Sequence, residues 1–230
     1  MKKVKSIIIQ YWHTWLLTAL CLFLLCIPHT PAFAALSMTT SIDELDAWDS
    51  VLAGTLREGS ADQISDSYST IVYIEVAMIE AVAHDGVDVI VEISYADDNW
   101  MELVSFKGTV ETVGTTTIND ASANAGDTTI TLTDATTADF DVVGRKWFIK
   151  DGTIGNSESV KTKSESTNTV TLCQDLMRSH ANSLNVYDRV DEWCVKIPFG
   201  AAWVRVLINN TDADCDVAST TRISKVTSLQ

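Results

Sequence analysis

The sequence predicts an all-β protein: an antiparallel β-sandwich of jelly-roll-like architecture, interrupted by a small inserted β-barrel or β-sandwich module. Short runs rich in β-branched and aromatic residues alternate with turn signals along most of the chain. In one internal segment the composition changes to Thr, Ser, Asn and Asp, while strand-like runs continue. The predicted parts are a signal peptide at 1–34, an N-terminal arm at 35–60, a sandwich domain at 61–114 and 191–230, and the inserted module at 115–190.

The first 34 residues are organised like a cleavable secretory signal. Lys2, Lys3 and Lys5 precede an apolar stretch at 15–27, and the segment ends in Ala-Phe-Ala at Ala34. A basic start, a short apolar core and a small-residue ending are typical of a signal peptide. A membrane anchor is the competing interpretation, but a spanning helix needs about 20 apolar residues. We therefore expect cleavage after Ala34, a secreted protein that is extracellular or at the cell surface, and no stable membrane insertion.

The segment that follows the signal has two competing interpretations. Ser41 and Glu44 have the spacing of a helix capping box, and apolar residues recur at helical intervals up to residue 53. Residues 50–56 also fit an edge strand. Because its apolar side chains precede the first secure strand, we expect residues 35–60 to act as an arm that docks on a neighbouring subunit.

Period-two alternation predicts the strands of the sandwich. Residues 87–95 carry Val, Ile or Tyr at every second position, and residues 193–199 repeat the pattern with Trp, Val, Ile and Phe. Side chains two residues apart share one face of a strand, so these runs predict a sheet with one buried side. Further strands are expected at 71–78, 100–106 and 204–208.

The inserted segment contains short motifs in a distinctive order. They are a threonine-rich run ending in Thr133-Asp134, Phe140 with Val143-Gly144, a strand at 147–149, Ser157-Glu158, an Asn-Thr-Val-Thr-Leu strand at 168–172, and Ser179-His180-Ala181. In this order they resemble a small all-β module of phage tail and virion proteins and of bacterial surface structural proteins. The resemblance covers residues 115–190 and implies a structural role. The sequence departs from the module at one point: Met177, Arg178 and Ser179 replace the Gly-Thr-Thr that often precedes its Ala-His loop.

The chain is strongly acidic, which limits its partners. Without the signal it has 13 Lys and Arg against 31 Asp and Glu, a formal charge of −18. Such a surface repels nucleic acid and anionic membranes, so we expect neither as a partner. The candidate metal ligands are Asp212, Asp214 and Asp216, whose alternation resembles the first ligands of an EF-hand loop. Val217 and Ile223 replace the glycine and glutamate of that loop, so Ca²⁺ would need ligands from elsewhere.

The cysteines and histidines do not predict catalysis. Cys173, Cys194 and Cys215 follow the signal without a Cys-x-x-Cys spacing, and either one disulfide or three free thiols fits their number. We expect Cys173 to pair with neither of the others, because it lies in the inserted module. Cys173 and His180 share one short stretch, but a catalytic pair needs an oriented base in a cleft. We expect no catalytic residues, no enzyme activity and no cofactor other than Ca²⁺.

These patterns predict an exported structural protein that self-assembles into a surface or extracellular polymer, a filament, tube or layer, through its sandwich subunits and its N-terminal arm. The expected partner is another copy of the chain. The alternative is a secreted carbohydrate- or calcium-binding β-sandwich module. Trp100, Trp193 and Trp203 are the candidate aromatic platform for sugar, although core packing explains each of them more simply.

Overall fold

The structure is a computed structural model, which describes residues 38–96, 98–108, 112–121, 123–136 and 139–229. The predicted signal peptide at 1–34 and the first three residues of the predicted arm lie outside these ranges. No helix within them is long and apolar enough to cross a membrane.

The described chain is built almost entirely of antiparallel strands. The strands are β1 (Met38–Val51), β2 (Leu56–Glu58), β3 (Asp62–Gln63), β4 (Ser69–Met78), β5 (Val87–Ser94), β6 (Trp100–Lys107), β7 (Thr115–Thr117), β8 (Thr129–Thr131), β9 (Lys146–Ile149), β10 (Glu158–Ser166), β11 (Thr169–Leu172), β12 (Asn185–Tyr187), β13 (Val190–Ile197), β14 (Trp203–Asn210) and β15 (Val217–Leu229). Two short 3-10 helices cover Asp139–Asp141 and Ile154–Asn156.

Two sheets form the predicted sandwich. The four-stranded sheet has the order β1-β15-β4-β13, and the five-stranded sheet has the order β2-β14-β5-β6, with β3 also paired to β14. Without β3, these eight strands have the connectivity of a jelly roll, in which two Greek keys interlock. The predicted all-β sandwich is therefore confirmed.

Alternating apolar residues of both sheets build the core between them. Ile74 and Val76 of β4 and Val89 and Val91 of β5 have no exposed surface and belong to one hydrophobic cluster. Successive side chains of a strand point to opposite faces. Glu75, between Ile74 and Val76, therefore points to the outer face of the four-stranded sheet.

The inserted segment forms a sheet and a core of its own. Strands β7 to β12 lie between β6 and β13 in the chain and pair in the order β7-β12-β9-β10-β11-β8. Trp147 is fully buried in the second core, where its ring meets Phe140 edge-on and its indole N–H donates to Thr162 Oγ1 over 3.0 Å. Thr115 and Tyr187 are strand partners, so the two ends of the segment lie side by side.

Residues 38–58 belong to the sandwich, which corrects the expectation of a separate arm. β1 pairs with β15 over its whole length, so the capping-box helix does not form. Trp48 and Val51 are buried in the core, and the Trp48 ring lies 4.6 Å from that of Phe148. β2 pairs with β14 in the other sheet. The subunit itself therefore buries apolar side chains that a neighbour was expected to cover.

Truncation of Trp48 tests this placement. We expect Trp48→Ala to lower the free energy of unfolding by about 3–5 kcal/mol, the usual cost of removing a buried aromatic side chain. Leu52→Ala, at an exposed position just after β1, is the control and should change it by less than about 0.5 kcal/mol. Urea denaturation followed by circular dichroism measures both. A Trp48→Ala protein as stable as the wild type would show that β1 is not part of the subunit core.

Candidate functional site

One end of the sandwich exposes three aromatic side chains. Ile197 pairs with Thr70 at the beginning of β4, and Trp203 pairs with Ser94 at the end of β5. Five residues connect Ile197 to Trp203, so these strand ends lie together. We call this the aromatic end and define it by Tyr68, Tyr95 and Phe199, which are 56%, 56% and 87% exposed.

Two of these residues line a shallow groove. Phe199 lies in the turn between β13 and β14, and Tyr68 lies just before β4; both line the groove, together with the buried Ile64 and Ile197. The amide of Tyr68 donates to the carbonyl of Val226 over 2.7 Å, which ties this loop to β15. Large exposed apolar side chains that cluster on a protein surface often mark a contact with a partner.

The opposite end carries an acidic turn, which we call the acidic end and define by Asp85, Asp212, Asp214 and Asp216. Asp212 organises it. Its Oδ1 accepts from the amides of Asp214 and Cys215 over 2.8 and 2.9 Å, and its Oδ2 accepts from that of Asp85 over 2.7 Å. Burial by itself raises the pKa of the Asp212 carboxyl, but these three amides and His84 outweigh burial and lower the pKa.

The three aspartates predicted as metal ligands share this turn. Asp216 Oδ1 accepts from the amide of Ala53 over 2.8 Å, so it binds a different backbone segment from Asp212. In the described part of the chain, no group of three or more His, Cys, Asp or Glu side chains is arranged to hold a metal ion. Calcium binding by Asp212, Asp214 and Asp216 stays a prediction.

His180 pairs with a buried carboxylate of the module. Its Nε2 lies 2.6 Å from Glu158 Oε1, and both side chains are fully buried. Glu158 also accepts from the amides of Met177 and Arg178 over 3.0 and 3.2 Å, while the exposed Cys173 donates its thiol to the carbonyl of Thr162. This network fastens the loop that contains His180 to β10. The Ser-Glu and Ala-His motifs were visible in the sequence as separate elements, but nothing in their spacing joined them.

The three candidate tryptophans do not share one surface. Trp193 pairs with Ile74, a core residue, and stacks on Phe106 with 5.8 Å between ring centroids. Trp100 and Trp203 both pair with Ser94, on the outer face of the five-stranded sheet. The guanidinium of Arg205 lies 4.2 Å from the ring centroid of Trp100. A platform that uses all three indoles is therefore not present.

Comparison with known proteins yields no family. No family model matches the chain, and no curated protein does. The similar solved structures include pili of Bacillus endospore appendages, with 8% identity, 84% of this chain and 92% of that chain covered, and a TM-score of 0.33. The K3 adhesin domain of Lys-gingipain from Porphyromonas gingivalis matches with 7% identity, 74% and 63% coverage, and a TM-score of 0.31. The mitogen of Yersinia pseudotuberculosis matches with 7% identity, 83% and 87% coverage, and a TM-score of 0.28. At these scores the likeness carries no functional argument.

Thiol labelling tests the environments of the cysteines, which are all free thiols in the described chain. Burial, together with the nearby Asp212, raises the pKa of Cys215 to about 11, whereas Cys173 and Cys194 are exposed. We expect iodoacetamide at pH 8 to label Cys173 and Cys194, and to label Cys215 only after unfolding, because the thiolate is the reactive form. Peptide mass spectrometry identifies the labelled sites. Equal labelling of all three in the folded protein would contradict the burial of Cys215.

Asp212→Asn tests the role of the acidic turn. An amide has one acceptor oxygen and no charge, so we expect a loss of about 2 kcal/mol in the free energy of unfolding at neutral pH. The lowered folded-state pKa means that the carboxylate stabilises the fold above its unfolded pKa of about 3.9, and that this stabilisation is lost as the pH falls. The difference between variant and wild type should therefore shrink in acid. A difference independent of pH would contradict the assignment.

Proposed function

We propose that the protein is an exported structural subunit, not an enzyme, and that it assembles head to tail into a surface or extracellular polymer. The difference between the two ends of the sandwich carries this proposal. The aromatic end exposes Tyr68, Tyr95 and Phe199, and the other end carries the acidic turn. The module is also inserted at that other end, because Lys107 of β6 pairs with Asp88 at the beginning of β5 and Val190 pairs with Ala77 near the end of β4.

Because the two ends of the subunit differ, a head-to-tail assembly is favoured over a symmetric dimer. A surface that contacts a different surface of the next subunit makes a heterologous interface, which gives an open filament unless the rotation closes a ring. Burial of a Phe side chain contributes about 1.5–3 kcal/mol, so a few aromatic rings at one end supply a substantial part of a contact.

The acidic composition opposes this association and makes it depend on salt. Like-charged subunits repel one another, and added salt screens the repulsion between exposed charges. Apolar contacts are not screened. The proposed polymer should therefore form more readily as the ionic strength rises.

The proposed contact differs from the one expected from the sequence. β1 and β2 are strands of their own subunit, so residues 38–51 and 56–58 are not free to dock on a neighbour as an arm. In this proposal the aromatic end, and not the arm, contacts the next subunit.

Removal of the exposed aromatic rings tests self-assembly. The double variant Tyr68→Ser/Phe199→Ser should need at least about tenfold more protein to assemble than the wild type, since about 1.4 kcal/mol corresponds to a factor of ten. Light scattering coupled to size-exclusion chromatography measures the mass over a range of protein and salt concentrations, and negative-stain microscopy shows the shape of any polymer.

Tyr73→Thr is the matched control. Tyr73 is 40% exposed and lies in the middle of β4, away from both ends, and Thr keeps the preference for a strand. It should assemble like the wild type. A wild-type protein that stays monomeric at every protein, salt and calcium concentration would contradict the proposal and favour the alternative of a binding module. If Tyr73→Thr impairs assembly as much as the double variant does, the aromatic end is not the contact surface between subunits.

A further inference from the structure

The outer face of the four-stranded sheet places two carboxylates side by side. Glu75 of β4 and Glu192 of β13 are directly opposed in the antiparallel register. Like charges at opposed positions destabilise a sheet. Glu75 is also 93% buried by its neighbours, so it needs partners for its charge.

The inserted module supplies the missing positive charge. The ammonium group of Lys146, the first residue of β9, lies 2.9 Å from Glu75 Oε1 and 2.7 Å from Glu192 Oε2. One cation from the module thus bridges two strands of the sandwich. The hydrogen bond from Lys146 lowers the pKa of Glu192, although partial burial of this carboxyl acts in the opposite direction.

Two further donors complete the environment of Glu75. The hydroxyl of Ser159, on β10 of the module, donates to Glu75 Oε2. Arg222, on β15 of the sandwich, donates to Glu75 Oε1 over 2.8 Å. Both carboxylate oxygens of Glu75 are therefore bound, and two of the three donors come from the module.

The module and the sandwich also share an apolar contact, but this contact constrains their relative orientation less strictly. Trp48 of β1 packs against Phe148 of β9 in the hydrophobic core of the sandwich. Dispersion and burial are roughly proportional to area and depend weakly on angle. Hydrogen bonds weaken steeply when donor and acceptor are misaligned, so the polar network is the part of the interface that selects one orientation.

We propose that Glu75 is the positioning residue that fixes the inserted module in one orientation on the sandwich. Lys146 and Ser159 bring the module onto this single carboxylate, and the apolar contact between Trp48 and Phe148 holds the two parts together. Without the charge of Glu75 the module stays attached through its two chain connections and its apolar contact, but it takes up several orientations. This inference does not depend on self-assembly.

The exposed cysteines allow a direct measurement of this orientation. Cys173 lies in the module and Cys194 in the sandwich, and nitroxide labels on the two report the distance between the parts. Cys215 is buried and stays unlabelled in the folded protein. The labelled protein is diluted with unlabelled protein, so that pulsed electron paramagnetic resonance records distances within one chain.

We expect one narrow distance maximum for the wild type and a broadened or additional maximum for Glu75→Gln. Glu92→Gln is the control, because the Glu92 carboxylate binds Arg205 over 2.7 Å on the five-stranded sheet, away from the module. It should leave the distance distribution unchanged. Lys146→Met removes the charge from the module side without altering the sandwich, and it should broaden the distribution as Glu75→Gln does.

Circular dichroism of each variant separates loss of orientation from loss of fold. If Glu75→Gln unfolds the sandwich, Lys146→Met decides the question alone. Narrow distributions at the wild-type distance in every folded variant at Glu75 or Lys146 would overturn the proposal. So would an equal broadening in Glu92→Gln.

Discussion

The ammonium group of Lys146 lies between two carboxylates that the sandwich places side by side, and this contact joins the inserted module to the sandwich. Glu75 is on the outer face of a sheet and yet buried, because Lys146 and Ser159 of the module lie against it. A buried charge is tolerated only where its partners are well placed. The position of β9 relative to β4 and β13 is thereby constrained, and the sandwich and the module form one structure although each has its own core.

Carboxylates elsewhere in the protein act in the same way. Asp212 accepts hydrogen bonds from three backbone amides and so shapes the acidic turn. Glu158 accepts hydrogen bonds from two backbone amides and is paired with the ring of His180. A charged acceptor forms stronger hydrogen bonds than a neutral one, so a single side chain can hold a loop together. In sequence, Asp212 was a candidate calcium ligand, whereas His180 was considered as a catalytic base and set aside. In the fold, each contributes to a loop of defined shape.

Runs of β-branched and aromatic residues predicted several strands of the sandwich. The predicted strands 71–78 and 100–106 lie in β4 (Ser69–Met78) and β6 (Trp100–Lys107), and the predicted strand 87–95 extends one residue beyond β5 (Val87–Ser94). β15 was not predicted, because Ser219, Thr220 and Thr221 interrupt its apolar alternation. All three are buried, since β1 and β4 flank this strand on both sides. β15 is stabilised by backbone hydrogen bonds to β1 and β4. These strands are far from β15 in the chain, so the local sequence of β15 does not reveal the pairing.

The sequence by itself determined the all-β class, the sandwich and the separate character of residues 115–190, because alternation and composition act over a few neighbouring residues. Only the tertiary structure decided that residues 38–51 form a strand of the subunit and that Glu158 meets His180. It also decided that Tyr68 and Phe199, 131 positions apart in the chain, line one groove. These outcomes depend on contacts between segments far apart in the chain, and the free energy of such contacts is set by the packing of the whole molecule.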